Sequence, residues 1–233
     1  MVFTPFHVMI KAEVFHMRKH IVCVGDSNTH GYCADIGDNA DRTDRFNEDE
    51  RWTCLLQKAL GDEYLVLEEG LSGRTTVFKD PLHESMDALS VIYPILMSHE
   101  RVDLLIIMLG TNDSKERFNA SSRVIACGLD RLIKKAKSVE CWRDDKPNIL
   151  VVAPPPIRAE FKETFDSEWM GSDCIKKTQG LAVEYERIAR VNGAHFLDAK
   201  DCEFNKVDCM HLSRKGHSEL ASLLAPLVKE ATK

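Results

Sequence analysis

The sequence predicts an α/β protein whose parallel, five-stranded sheet is sandwiched between helices. Three observations carry that expectation. Apolar runs of buried-strand length recur five times, stretches with helical spacing lie between them, and polar or Gly/Pro-rich sequence follows each run. In such open sheets ligands bind beyond the carboxyl ends of the strands, and that is where the polar motifs of this chain fall.

The first run, 21–24, leads directly into Val24-Gly25-Asp26-Ser27-Asn28-Thr29. The stretch 33–50, rich in Asp, Asn and Arg, reads as a long loop, a class of segment that is often functional in compact domains. A helix is expected at 51–60, a strand at 64–67 and a second helix at 85–98. The third strand, 104–109, is the longest apolar run and falls far short of the roughly 20 residues that cross a bilayer. Further helices are expected at 122–137, 176–191 and 215–229, with strands at 149–153 and 195–197. No internal repeat or low-complexity stretch interrupts this order.

The chain has 233 residues, 44% of them hydrophobic and 29% charged, enough apolar material for one sizeable core. The formal net charge of −6 comes from acids spread along the chain, so the basic footprint of a nucleic-acid-binding protein is absent. Eight cysteines are scattered without a CxxC pair, and no N-terminal segment has a long apolar core with a small-residue cleavage site, which points to a reducing cytoplasm and no membrane. Met17 begins like a natural start that runs straight into a strand, so residues 1–16 are expected to be an extension outside a single domain at 17–233.

Four polar constellations stand out. Gly25-Asp26-Ser27 turns sharply and presents a serine hydroxyl at a strand end, although a lone Ser in this setting is more often a helix cap. Asp208-Cys209-Met210-His211 spaces a carboxylate and an imidazole so that the Asp can hold the His tautomer and the His can act as general base. A zinc site from Cys202, Cys209 and His211 lacks usual ligand spacing and ranks below this pairing. Gly110-Thr111-Asn112-Asp113 offers an amide donor, and Leu71-Ser72-Gly73-Arg74 a main-chain N–H freed by glycine geometry; either could be turn chemistry alone. Their common place after strands allows one crevice to gather nucleophile, base and oxyanion donors.

Together these blocks resemble the SGNH or GDSL hydrolases, a family named for blocks contributing Ser, Gly, Asn and His in this order. The resemblance runs from Arg18 onward and is closest to the arylesterase/acyltransferase branch, with similarity to intracellular acetylxylan esterases. It is carried also by Arg51-Trp52, by Glu68-Glu69-Gly70-Leu71-Ser72-x-Arg74-Thr75-Thr76 and by Val151-Val152-x-Pro154-Pro155-Pro156. It implies a flavodoxin-like three-layer α/β/α sandwich, with Ser27 as nucleophile, His211 as base and Asp208 as its orienter. The oxyanion hole it implies is the Ser27 N–H, the Gly73 N–H and the Asn112 side chain. Asn28 and His30 depart from the apolar and aromatic residues usual in the arylesterase branch and suggest a more polar wall. Tyr32 and Met210 are expected to line an acyl pocket suited to short acyl groups, with Asn28 nearby.

The function so implied is hydrolysis of small, acetyl-like carboxylic esters of carbohydrates or aryl alcohols through an acyl-enzyme, with no metal or organic cofactor. Acyl transfer, or thioesterase or lysophospholipase activity, are alternatives on the same triad. A non-catalytic flavodoxin-like ligand-binding module is the alternative outside enzymes. Relatives in this branch form homo-oligomers, and the loop 33–50 and the segment 86–97 are candidate contacts.

Overall fold

The computed structural model describes residues 17–233, so the expected extension at 1–16 lies outside the described residues. Strands β1 (Lys19–Gly25), β2 (Tyr64–Gly70), β3 (Leu104–Met108), β4 (Ile149–Ala153) and β5 (His195–Asp198) form one sheet in the order β2-β1-β3-β4-β5. Every neighbouring pair is parallel, as the alternation of strands and helices requires. The chain runs from β1 out to β2 and then returns to β3 on the other side of β1. The carboxyl ends of β1 and β3 therefore flank a topological switch point.

Both sheet faces are buried, which is why the strands read as continuous apolar runs instead of alternating ones. Ile21, Cys23, Leu104, Ile106, Leu150 and Val152 share a core with α2 (Trp52–Leu60) and α8 (Arg214–Ala231). Their neighbours in sequence, including Val22, Val24, Leu105, Ile107 and Val151, pack with α3 (Ala88–Ser98), α4 (Ser122–Lys137) and α7 (Leu181–Val191) on the other face. The result is the three-layer α/β/α sandwich that the sequence predicts.

The helix boundaries have local causes. α4 begins where the Ser121 side chain accepts from the Val124 N–H, buries Ile125, Leu129, Leu132, Ile133 and Ala136 along one stripe, and ends in Lys134, Lys135 and Lys137. α3 starts at Ala88, three residues later than the spacing suggests, because Asp87 in extended geometry is the cap that accepts from the Ser90 N–H at 2.9 Å. The single helix expected at 176–191 is two, α6 (Cys174–Gln179) and α7, meeting at Gly180. A Cβ on Gly180 would stand 2.5 Å from Ser122 Oγ, so the glycine lets this junction pass close to the start of α4.

Candidate active site

β1 ends at Gly25, and the next residues wind into the one-turn helix α1 (Ser27–His30). Asp26 caps it, its Oδ1 accepting from the Asn28 N–H at 3.0 Å. The turn is thus capped by Asp26 and not by Ser27, which is the first helical residue, at the switch-point edge of the sheet.

Asp208 and His211 come from the loop between β5 and α8. Asp208 Oδ1 accepts from the backbone N–H groups of Met210 and His211 and from Asn205 Nδ2, each at 2.9 Å. Its other oxygen, Oδ2, lies 2.6 Å from His211 Nδ1, and His211 Nε2 lies 2.7 Å from Ser27 Oγ. Burial opposes the charged carboxylate, but the hydrogen bond and charge of His211, with the two backbone N–H bonds, outweigh it and hold Asp208 down to about 2. An ionised carboxylate only accepts, so Nδ1 carries a proton and Nε2 is left to accept from the Ser27 hydroxyl. Edge-on contact with Tyr32, ring centroids 4.6 Å apart at 61°, fixes the imidazole from the side.

The other two blocks converge on the same place. Gly73 has φ of 89°, the left-handed region open to glycine, which turns the loop after β2 toward Ser27. Asn112 follows β3, and its neighbour Asp113 accepts from the Thr76 N–H at 2.9 Å and from the Thr76 hydroxyl, which locks the Asn112 loop to the loop carrying Gly73. Burial pushes the Asp113 carboxyl up to about 6, as it does for Asp26. The backbone N–H groups of Ser27 and Gly73 and the Asn112 amide have no protein acceptor among the described residues. Three unclaimed donors around one hydroxyl can receive a developing oxyanion.

Ser27, Tyr32, Gly73, Asn112, Met210 and His211 line one cleft of about 210 Å³. Asn28 does not reach its wall. It is buried, and its Oδ1 accepts from the Leu212 N–H at 2.9 Å, so the side chain expected to contact substrate is instead committed to holding the loop after His211. Asn205 was not among the residues that motif spacing singles out. Its side chain bonds Asp208, the backbone N–H of Val207 and the His211 carbonyl; an Asn three residues before the DxxH block is the signal that marks it. Lys115, two residues past the block at 110–113, also lines the cleft, as do Asp166 and Trp169 from a segment without a motif. Among the described residues no cluster of three or more His, Cys, Asp or Glu side chains is arranged to hold a metal, and no helix is long and apolar enough to cross a membrane.

A parallel sheet with these four blocks at its switch point defines an acylhydrolase. The chain belongs to the GDSL-like lipase/acylhydrolase family, whose model matches residues 23–218. Among solved structures it is similar to an aryl esterase of M. smegmatis, 33% identical with a TM-score of 0.79, covering 91% of this chain and 99% of that one. A carbohydrate acetylesterase from Sinorhizobium meliloti is 30% identical, also with a TM-score of 0.79, and covers 91% and 99% of the two chains. An acetylxylan esterase from Xylanibacter ruminicola is 25% identical over 232 residues; the match takes in 90% of this chain, which spans 43% of that relative's length.

Proposed function

We propose that this protein is a serine esterase that hydrolyses small, acetyl-like esters through an acyl-enzyme on Ser27. The observation that carries the reading is the unbroken line from Asp208 Oδ2 through His211 to Ser27 Oγ, with links of 2.6 and 2.7 Å. His211 takes the Ser27 proton as Oγ attacks the ester carbonyl, and Asp208 stabilises the imidazolium that forms. The tetrahedral oxyanion accepts from the Ser27 and Gly73 N–H groups and the Asn112 amide. His211 then protonates the departing alcohol, and a water molecule, deprotonated by the same imidazole, releases the acid. Attack, proton transfer and charge stabilisation are all assigned to protein groups, so EDTA treatment should leave the activity intact.

The acyl group is short in this reading because Met210 and Tyr32, which flank His211, bound the cleft at Ser27. All eight cysteines are unpaired, which accords with a reducing cytoplasm. We place the homo-oligomer contact on α3, where Tyr93 is exposed; a monomer by light scattering would remove that element alone. The function is tested with p-nitrophenyl esters from acetate to palmitate. Turnover should be greatest for acetate and vanish in Ser27→Ala; equal turnover by Ser27→Ala would reject the reading.

A further inference from the structure

The cleft that holds Ser27 and His211 is also lined by a second set of polar groups to which the acyl chemistry gives no task. Lys115 lines the cleft with its side chain only 9% exposed. Among the described residues its ammonium has one acceptor, Asp80 Oδ2 at 3.2 Å, and an ammonium carries three N–H donors. The Asp80 side chain is fully buried, and its other oxygen accepts from Arg117 at 3.3 Å. Arg117 in turn donates to the Trp169 carbonyl at 2.9 Å. One buried carboxylate therefore fixes two parts of the cleft wall, Lys115 directly and Trp169 through Arg117.

The opposite sign of charge stands close by. Asp166 lines the same cleft, half-buried, and its carboxylate has no hydrogen-bond donor among the described residues. Trp169, 54% exposed, lines the cleft as well. Spare donors on a desolvated cation are costly unless something fills them. A purely anionic ligand would suit Lys115 but meet Asp166. A plain aryl alcohol would cover Trp169 but leave both charges unfilled. A neutral hydroxylated ring fits all three, since each hydroxyl both donates and accepts and the ring's C–H face lies well on an aromatic surface.

We infer that Lys115, Asp166 and Trp169 form the subsite for the alcohol part of the ester, and that this alcohol is a polyol such as a sugar unit. Lys115 and Asp166 are specificity-determining residues, and Asp80 is the positioning residue that holds the wall. The inference rests on the esterase reading but is separable from it. A site that hydrogen-bonds a substrate hydroxyl discriminates sharply against an analogue that lacks it, because its own polar groups are then left unpaired.

The experiment compares kcat/KM for xylobiose monoacetate and phenyl acetate in the wild type, Lys115→Met and Asp166→Ala. The wild type should favour the sugar ester, and each variant should lower the ratio of sugar to phenyl ester about tenfold, the loss of one charge-assisted hydrogen bond, chiefly through KM. Asp80 keeps Arg117 when Lys115 is replaced, so the wall retains its support, and the half-exposed Asp166 supplies a second variant that leaves no buried charge behind. Lys115→Arg should recover part of the ratio. A ratio unchanged in Lys115→Met and Asp166→Ala, whether both rates hold or both fall together, would overturn the inference. So would a wild type that cleaves phenyl acetate but not the sugar ester, which leaves the esterase reading standing. Failure to cleave either ester would overturn that reading as well.

Discussion

Asn28 Oδ1 accepts a hydrogen bond from the Leu212 N–H at 2.9 Å, joining the residue after Ser27 to the residue after His211 across 184 positions of sequence. Both partners are buried, so the bond has little competition from water. It is the clasp that keeps the loop carrying His211 against α1.

If that clasp sets the distance from His211 Nε2 to Ser27 Oγ, Asn28→Ala should lower kcat for p-nitrophenyl acetate by about tenfold to a hundredfold, the scale of a small misplacement of reacting groups. KM should change little. Asn28→Asp keeps an acceptor and should lose less. A wild-type kcat in Asn28→Ala would show that the loop is held by other means.

Asp208→Asn should be more severe. The amide can accept at one atom only, and it no longer stabilises the imidazolium, so kcat should fall by about 10⁴ by analogy with other Ser-His-Asp sites. The far-ultraviolet circular dichroism should be unchanged. A loss smaller than tenfold would mean that Asn205 and the backbone, and not Asp208, orient the imidazole.

Asn112→Ala removes a donor that has no protein acceptor among the described residues, so its cost should appear in rate and not in stability. We expect kcat to drop by about 10²–10³, with a thermal midpoint close to that of the wild type. A large fall in the midpoint with little change in kcat would assign Asn112 a structural role.

A stability prediction comes from a different histidine. His217 lies in the core, where its Nδ1 accepts from the Trp52 N–H at 3.2 Å. Burial, reinforced by the charges of His211 and Arg51, lowers it to about 3 from an ordinary 6.5. Its folded value is below its unfolded one, so the unfolded chain binds the extra proton between these limits, and His217 costs stability as pH falls from 6.5 toward 3. Asp26 and Asp113, raised from 3.8 to about 6 by burial, act oppositely: the folded state holds their protons between these limits, and they favour folding as pH falls through that range. The variant His217→Gln separates the two effects. Denaturant unfolding from pH 6.5 to pH 3 should show the wild type losing stability relative to the variant by about 1.4 kcal/mol per pH unit, the slope of one proton. Parallel curves would mean that His217 is charged in the fold.

Much of this arrangement is legible in the sequence because its determinants are local. The inner strands β3 and β4 are buried on both faces, so they stand out as unbroken apolar runs, and Gly25-Asp26-Ser27 directly follows such a run at β1. Asp208 and His211 are three residues apart and mark each other. What the sequence conceals depends on contacts between distant segments. Asn28 looks like a wall residue until Leu212 is brought to it, and the break at Gly180 depends on Ser122, far away in α4. Lys115 and Trp169 are not paired by any spacing, because they are joined through the buried hub at Asp80, and Asp166 shares their cleft without a bond to that hub.

The most direct test of the account is covalent labelling of Ser27. The native protein is treated with a fluorophosphonate, and its intact mass and peptides are measured beside Ser27→Ala and heat-denatured protein. The account predicts one adduct, on the peptide containing Ser27, and none in either control. A native protein that hydrolyses esters yet stays unlabelled, or a Ser27→Ala variant labelled as fully as the wild type, would contradict it.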